Sequence, residues 1–284
     1  MTNMITLVTY ALFFLYLVTT IASAYPNCDQ LPPHGIGPLF TFGHTILPKK
    51  HWALSEEILY AKTKPYPTIL SLSQFFYGIN DSLTISGNIP VVHQKSLTNT
   101  RAGGLGDCYC NLNMRLLNNK TETHDYRIIG VAGVRIPTTT GVFGESIYTY
   151  NTTSFFLGAN CDALTRDWYL YYDFGTLFFT KRSCRQFGHL INFNAGIGRS
   201  LCFNGNYLSL FIELSDYYSK PDRINNVPLL NTGGNILLIG PTLRYAHKSG
   251  FLAQAGIQLN VSEHLRNRLD TIGYVAGGYI AYTY

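Results

Sequence analysis

Tyr207-Leu208-Ser209-Leu210-Phe211-Ile212-Glu213-Leu214-Ser215-Asp216 decides the fold class. In an extended chain, Leu208, Leu210, Ile212 and Leu214 share one face, and Tyr207, Ser209, Phe211, Glu213 and Ser215 share the other. Phe251–Val261 repeats the pattern, setting Phe251, Ala253, Ala255, Ile257, Leu259 and Val261 against Leu252, Gln254, Gly256, Gln258 and Asn260. The same period runs through Trp52–Ala61, Thr68–Ile79, Leu83–Val92, Asp107–Leu116, Arg127–Ile136, Ser154–Ala163, Trp168–Phe174, Leu190–Arg199, Asn235–Ala246 and Thr271–Tyr284, the first two being less regular. A half-buried soluble sheet also alternates. It does not do so this often with so few charges on the polar face.

Composition agrees. Charged residues make up 13% of the 284 positions, about half the usual ~25%. Aromatics reach 14%, and the 46% hydrophobic content excludes a disordered chain. A helical membrane protein needs several long apolar runs, and this chain has at most one, at its start. These features predict a transmembrane antiparallel up-and-down β-barrel of about 12 strands. The connections have the right parity. Short ones fall near Asn80-Asp81-Ser82, Asn118–Thr123, Leu164-Thr165-Arg166, Asn204-Gly205-Asn206 and His247-Lys248-Ser249. The longest, His93–Gly103, Thr138–Asn151 and Tyr217–Gly234, fall at the opposite ends. Bacterial barrels have short periplasmic turns and longer outer loops, so the first and last strands of the barrel begin and end on the periplasmic side.

Ile5–Ile21 is apolar and ends in Ala22-Ser23-Ala24, which predicts a signal peptide over 1–24. Residues 25–50 then form a periplasmic or plug segment, and 51–284 the barrel. The final strand places Tyr274, Ile280, Tyr282 and Tyr284 on one face. This resembles the C-terminal signal read by the barrel assembly machinery, with Tyr for the commoner Phe.

Three local patterns resemble the outer-membrane transporter family named for the meta-cleavage pathway of phenol degradation. The first is Gly37-Pro38-Leu39-Phe40-Thr41 followed by Leu47-Pro48-Lys49-Lys50. The second is Tyr77-Gly78-Ile79-Asn80-Asp81-Ser82-Leu83-Thr84-Ile85, followed by Ile89-Pro90. The third is Gly104-Leu105-Gly106-Asp107, with Gly133-Val134-Arg135-Ile136-Pro137-Thr138 ending the next strand. The family usually has Thr-Gly after that Pro, whereas Thr138-Thr139-Thr140-Gly141 stands here. The resemblance implies an outer-membrane barrel that transports small, aromatic compounds, and the lumen aromatics below extend this to amphipathic solutes.

Parity places Asp107, Arg115, Arg127, Arg135, Asp162, Asp173, Glu213 and Arg244 inward, with Tyr109, Phe156, Tyr169, Tyr171, Tyr207, Phe211 and Tyr279. The charges form either a structural network or an eyelet selecting by charge, with Arg115 and Arg135 as its candidate pair. The aromatics either line a solute path or fill a narrow barrel. Two alternatives stand beside transport: a non-transporting structural or surface-interaction barrel, and an outer-membrane lipid hydrolase. For the hydrolase, His189 is outward but no nucleophilic Ser is marked. No cofactor is called for, and Cys108-Tyr109-Cys110 lacks partners at metal-ligand spacing. The six cysteines do not suggest a disulfide framework. Cys184 and Cys202 fall at opposite barrel ends, too far apart to pair. The net charge of +5 is scattered rather than nucleic-acid-like. Its one cluster, Lys181-Arg182-Ser183-Cys184-Arg185, faces outward, where lipopolysaccharide phosphates attract cations. The expected partners are outer-membrane lipids, lipopolysaccharide, the assembly machinery and a small solute.

Overall fold

The computed structural model describes residues 46–63, 67–95, 101–139, 150–165, 167–182, 184–230, 232–265 and 272–284. The expected signal peptide and most of the segment after it lie outside the described residues. In chain order the strands are β1 (Trp52–Thr63), β2 (Thr68–Asn80), β3 (Leu83–Lys95), β4 (Arg101–Leu105), β5 (Cys108–Lys120), β6 (His124–Ile136), β7 (Ser154–Thr165), β8 (Trp168–Phe179), β9 (Arg185–Gln186), β10 (Leu190–Phe203), β11 (Asn206–Ser219), β12 (Arg223–Ile224), β13 (Val227–Pro228), β14 (Gly234–Ala246), β15 (Phe251–Leu265) and β16 (Ile272–Thr283).

The twelve long strands close into one antiparallel barrel. Each pairs with its sequence neighbours, and β1 pairs with β16 from Ala53↔Thr283 to Thr63↔Ile272. Trp52 and Tyr284 exchange backbone hydrogen bonds at the seam, and their rings stack at 4.0 Å. β4 pairs with β3 beyond the end of β5, so the expected long loop at His93–Gly103 is largely a hairpin extension. At the periplasmic end, Asn204 (φ 50°) and Gly205 (φ 79°) form the left-handed pair of a two-residue hairpin.

Alternation holds around the wall. Leu54, Ile58, Phe75, Leu112, Phe155, Leu157, Leu170, Phe174, Ile197 and Ile280 are exposed outward, while Ser55, Glu57, Asn113, Asn160, Asn194, Ser209 and Gln258 are buried inward. Period two fails at a bulge in β5. Arg115 pairs with Ile129 but Leu117 pairs with Ile128, so Leu116 and Leu117 both face out. A carboxylate also faces lipid. Glu56 tolerates this because it accepts hydrogen bonds from the Ser71 hydroxyl and, at 2.6 Å, from Ser73 on the adjacent strand.

Inward rings lie flat on glycines of neighbouring strands. A Cβ on Gly196 would fall 2.2 Å from Cε1 of Tyr171, one on Gly198 would fall 2.2 Å from Cδ1 of Phe211, and one on Gly175 would fall 2.4 Å from Cζ of Phe156. Gly196 pairs with Tyr171, and Gly198 with Phe211. The missing side chain gives each ring a seat against the wall.

Two stability predictions follow from these faces. Ile197→Arg, mid-strand and lipid-facing, should cost about 2–4 kcal/mol in reversible unfolding from lipid vesicles. Leu230→Arg, in an outer loop, should cost less than about 0.5 kcal/mol. Gly196→Ala should cost about 1–3 kcal/mol by displacing Tyr171. The penalty should largely vanish in a Tyr171→Ala background, which a double-mutant cycle measures.

Candidate functional site

The inward residues fall into linked groups. Near the periplasmic turns, Arg127 on β6 and Asp162 on β7 form a buried ion pair at 3.0 Å. Tyr169 on β8 donates its hydroxyl to the other Asp162 oxygen at 2.9 Å. Arg244 reaches in from β14, its guanidinium 5.9 Å from the Tyr169 ring centre and within electrostatic reach of Asp162. Phe211 meets Tyr169 edge-on at 5.5 Å. Five expected lumen residues thus come together in one network joining non-adjacent strands.

A second group is acidic. Tyr171 directs its hydroxyl at Glu213. Glu57 on β1 stands within electrostatic reach of Glu213 on β11, although three strands separate theirs in the wall. Asp173 accepts from Asn194 at 2.6 Å, and Gln258 donates to Ser215 at 3.0 Å across the intervening β14. Glu57 was missed in the sequence because Glu56-Glu57 gives no sign of which carboxylate faces inward. The surrounding order of Leu54 and Ile58 against Ala53 and Ser55 would have assigned it.

At the outer end, Asp107 is a loop clamp. One carboxylate oxygen accepts from Thr139 at 2.6 Å and the other from the Asn151 backbone at 3.0 Å. The Arg135 guanidinium lies 4.6 Å from the centre of the Tyr109 ring and 5.7 Å from that of Phe179. The suggested Arg115–Arg135 eyelet fails on register. Arg135 pairs with Tyr109, six residues along β5 from Arg115, or roughly 20 Å.

Tyr207 and Tyr279 join an apolar cluster with Ala53, Phe76, Ala246, Leu252 and Ala281. Leu47, from the segment preceding β1, is buried in that same cluster, and its N–H donates to Thr84 Oγ1 at 2.8 Å. Ile46 is buried with Ile129, Val131, Phe156, Leu177, Phe179 and Phe187. The chain before β1 therefore turns into the lumen. Its bend at Lys50 (φ 66°) rests on Gly78, where a Cβ would strike the Pro48 carbonyl.

His189 precedes β10, and its Nδ1 accepts from the Phe179 N–H at 3.3 Å. Burial, then Lys220 and Arg223, lower its pKa, which keeps that nitrogen an acceptor. Cys184 is free and Cys202 is disulfide-bonded, so the two do not pair with each other. The sequence suggested no disulfide framework, yet Cys202 does take part in a disulfide. Cys108, Cys110 and Cys161 are free, and Cys28 lies outside the described residues. On the last strand, Tyr274, Ile280, Tyr282 and Tyr284 share the outward face. Lys62 sits over Tyr274 at 5.7 Å.

A family model described as "Putative MetA-pathway of phenol degradation" matches residues 38–276. The chain belongs to this family. Among solved structures, the COG4313 outer membrane channel of Pseudomonas putida F1 has a TM-score of 0.69 at 11% identity, over 86% of this chain and 99% of that one. The β domain of the Bordetella autotransporter BrkA gives 0.47 at 10% identity, over 82% and 98%. The NalP translocator domain of Neisseria meningitidis gives 0.42 at 10% identity, over 82% and 87%. No curated protein matches. The chain is a β-barrel of the bacterial outer membrane.

Asp162 holds the first network together, so Asp162→Ala should cost about 3–5 kcal/mol by removing the carboxylate that the buried Arg127 pairs with. Arg127→Met with Asp162→Leu should recover most of that loss. Urea titration of both variants in the same detergent checks this.

Proposed function

We propose that the barrel conducts small aromatic or amphipathic solutes across the outer membrane. The observation that carries this reading is the mixed inner wall. A water-filled porin has a polar interior. Here Leu70, Leu72, Phe76, Val92, Ile129, Val131, Leu177 and Leu238 are buried beside Ser, Asn, Gln and carboxylate groups. Such a wall offers apolar area to a ring and hydrogen-bond partners to its substituents, the general chemistry of small-molecule sites. The fold shared with the Pseudomonas putida outer membrane channel supports transport.

The carboxylates bear on charge preference. Glu57, Glu213 and Asp173 all act electrostatically on Tyr217 at the outer end of β11. The cations Arg127 and Arg244 lie with Asp162 nearer the periplasm. Past Arg135 and Asp107 at the outer end, an entering anion meets Glu213 and Asp173 before Arg127 and Arg244, so neutral solutes are favoured over anions there.

A structural, non-conducting barrel is the second reading, and the seating of Ile46 and Leu47 inside the lumen favours it. Liposome flux separates the two. The wild-type barrel, or the Ile46→Ala, Leu47→Ala variant that loosens the seated segment, should pass a phenol-sized neutral solute faster than a disaccharide. Tyr169→Ala with Tyr171→Ala should reduce that preference. If none of these proteins passes either solute, the structural reading replaces transport.

A further inference from the structure

The loops above β8–β14 form a built surface that the lumen does not use. β9, β12 and β13 make a small three-stranded sheet, with Arg223 opposite Gln186 and Pro228, and Ile224 opposite Arg185 and Val227. Asn225 (φ 50°) and Asn226 (φ 67°) form its tight turn. Asp222 ties the two loops together, accepting from Arg185 at 2.9 Å and from the Gly188 N–H at 2.8 Å. Its own N–H donates to Thr232 at 2.9 Å, and Leu229 N–H closes onto its carbonyl. The tongue is therefore folded and pinned.

Its charge is concentrated. Lys181, Arg182, Arg185, Lys220 and Arg223 stand against the single carboxylate of Asp222, a net +4 in a chain whose total is +5. Asp222 is spent on Arg185. Lys181, Arg182, Lys220 and Arg223 are all exposed. Beside them Ile224, Val227 and Leu230 are also exposed, the last two at 65% and 78%. A merely solvated basic loop has no reason to carry three exposed aliphatics.

Depth identifies what such a surface meets. Phe178 and Tyr218 are exposed lipid-facing aromatics at the outer ends of β8 and β11, and aromatic girdles mark the membrane interface. Lys181 lies three residues past Phe178 and Lys220 two past Tyr218. That keeps both lysines within roughly 7–10 Å of chain from the girdle, near enough for their ammonium groups to reach lipid headgroup phosphates. We propose that this tongue binds a phosphate-bearing lipid of the outer leaflet. Lys181, Arg182, Lys220 and Arg223 hold the phosphates, and Ile224, Val227 and Leu230 lie against the glycolipid's apolar parts.

The test uses the full barrel in nanodiscs of neutral lipid, titrated with fluorescent bis-phosphorylated lipid A. Lysine and arginine side chains near an anionic surface act additively. The Lys181→Glu, Arg182→Glu, Arg223→Glu variant should therefore bind on the order of a hundredfold more weakly. Wild-type affinity should fall steeply from about 0.15 M to about 1 M salt. Dephosphorylated lipid A should bind poorly, and Val227→Ser with Leu230→Ser should weaken binding several-fold. Heat-modifiable gel mobility confirms that each variant is folded. Equal binding by wild type and the charge-reversed variant, or salt-independent affinity, would overturn the proposal. So would competition by inorganic phosphate alone at micromolar concentration, which would mark a site for the free anion.

Discussion

The structure depends on one constraint: within the hydrocarbon, every backbone N–H and C=O must find a partner inside the protein. An open sheet would leave two edges unpaired in a solvent that offers no hydrogen bonds. The β1–β16 pairing removes both. Side-chain order then follows from the pleat. Once one residue faces lipid, its neighbours on the same strand are assigned to lumen or lipid in turn. The exceptions need local remedies, and the wall supplies them. The Leu116–Leu117 bulge turns two leucines outward, and the Ser71 and Ser73 hydroxyls satisfy the lipid-facing Glu56.

The lumen is a consequence of the same closure. Twelve strands make a narrow barrel, and its inner wall is filled unevenly. The Arg127–Asp162–Tyr169–Arg244 network joins strands that do not touch through the backbone, and so stiffens the cross-section near the periplasm. The carboxyl groups of Glu57, Glu213 and Asp173 lie in the next layer. The rings lie along the wall on Gly175, Gly196 and Gly198. Bore and charge are therefore set by different residues, and glycine placement is as much a determinant of the lumen as the aromatics themselves.

Most of the wall was legible because period two is a property of a single strand. Every inward residue expected in β6, β7, β8 and β11 faces inward, and the even strand count and loop parity hold. What stayed hidden depends on relations between strands. Arg115 and Arg135 looked like a pair because both are inward on neighbouring strands, and only the register shows them far apart. The seating of Tyr171 on Gly196 needs the β8–β10 register as well. Asp107 is inward by parity, but its role comes from Thr139 and Asn151 on either side of a long connection, which no local pattern announces. Leu47 belongs to a segment without periodicity, which was read as either periplasmic or plug, so its burial among Tyr207, Tyr279 and Ala281 had no periodic signal to decide between them.

The seam has a consequence for how the protein is made. Each other strand pairing in the wall joins neighbours in sequence across a connection, so hairpins can form and accrete with little loss of chain entropy. The β1–β16 pair joins the two ends of the barrel segment, the largest loop the chain can close. It can form only after the rest of the sheet has curled far enough to meet itself. Until then, the Trp52 and Tyr284 edges are both unsatisfied and, in lipid, mutually attractive. Assembly is thus committed by its last step, and a lesion at the Trp52–Tyr284 stack should slow insertion far more than it lowers the stability of the finished barrel.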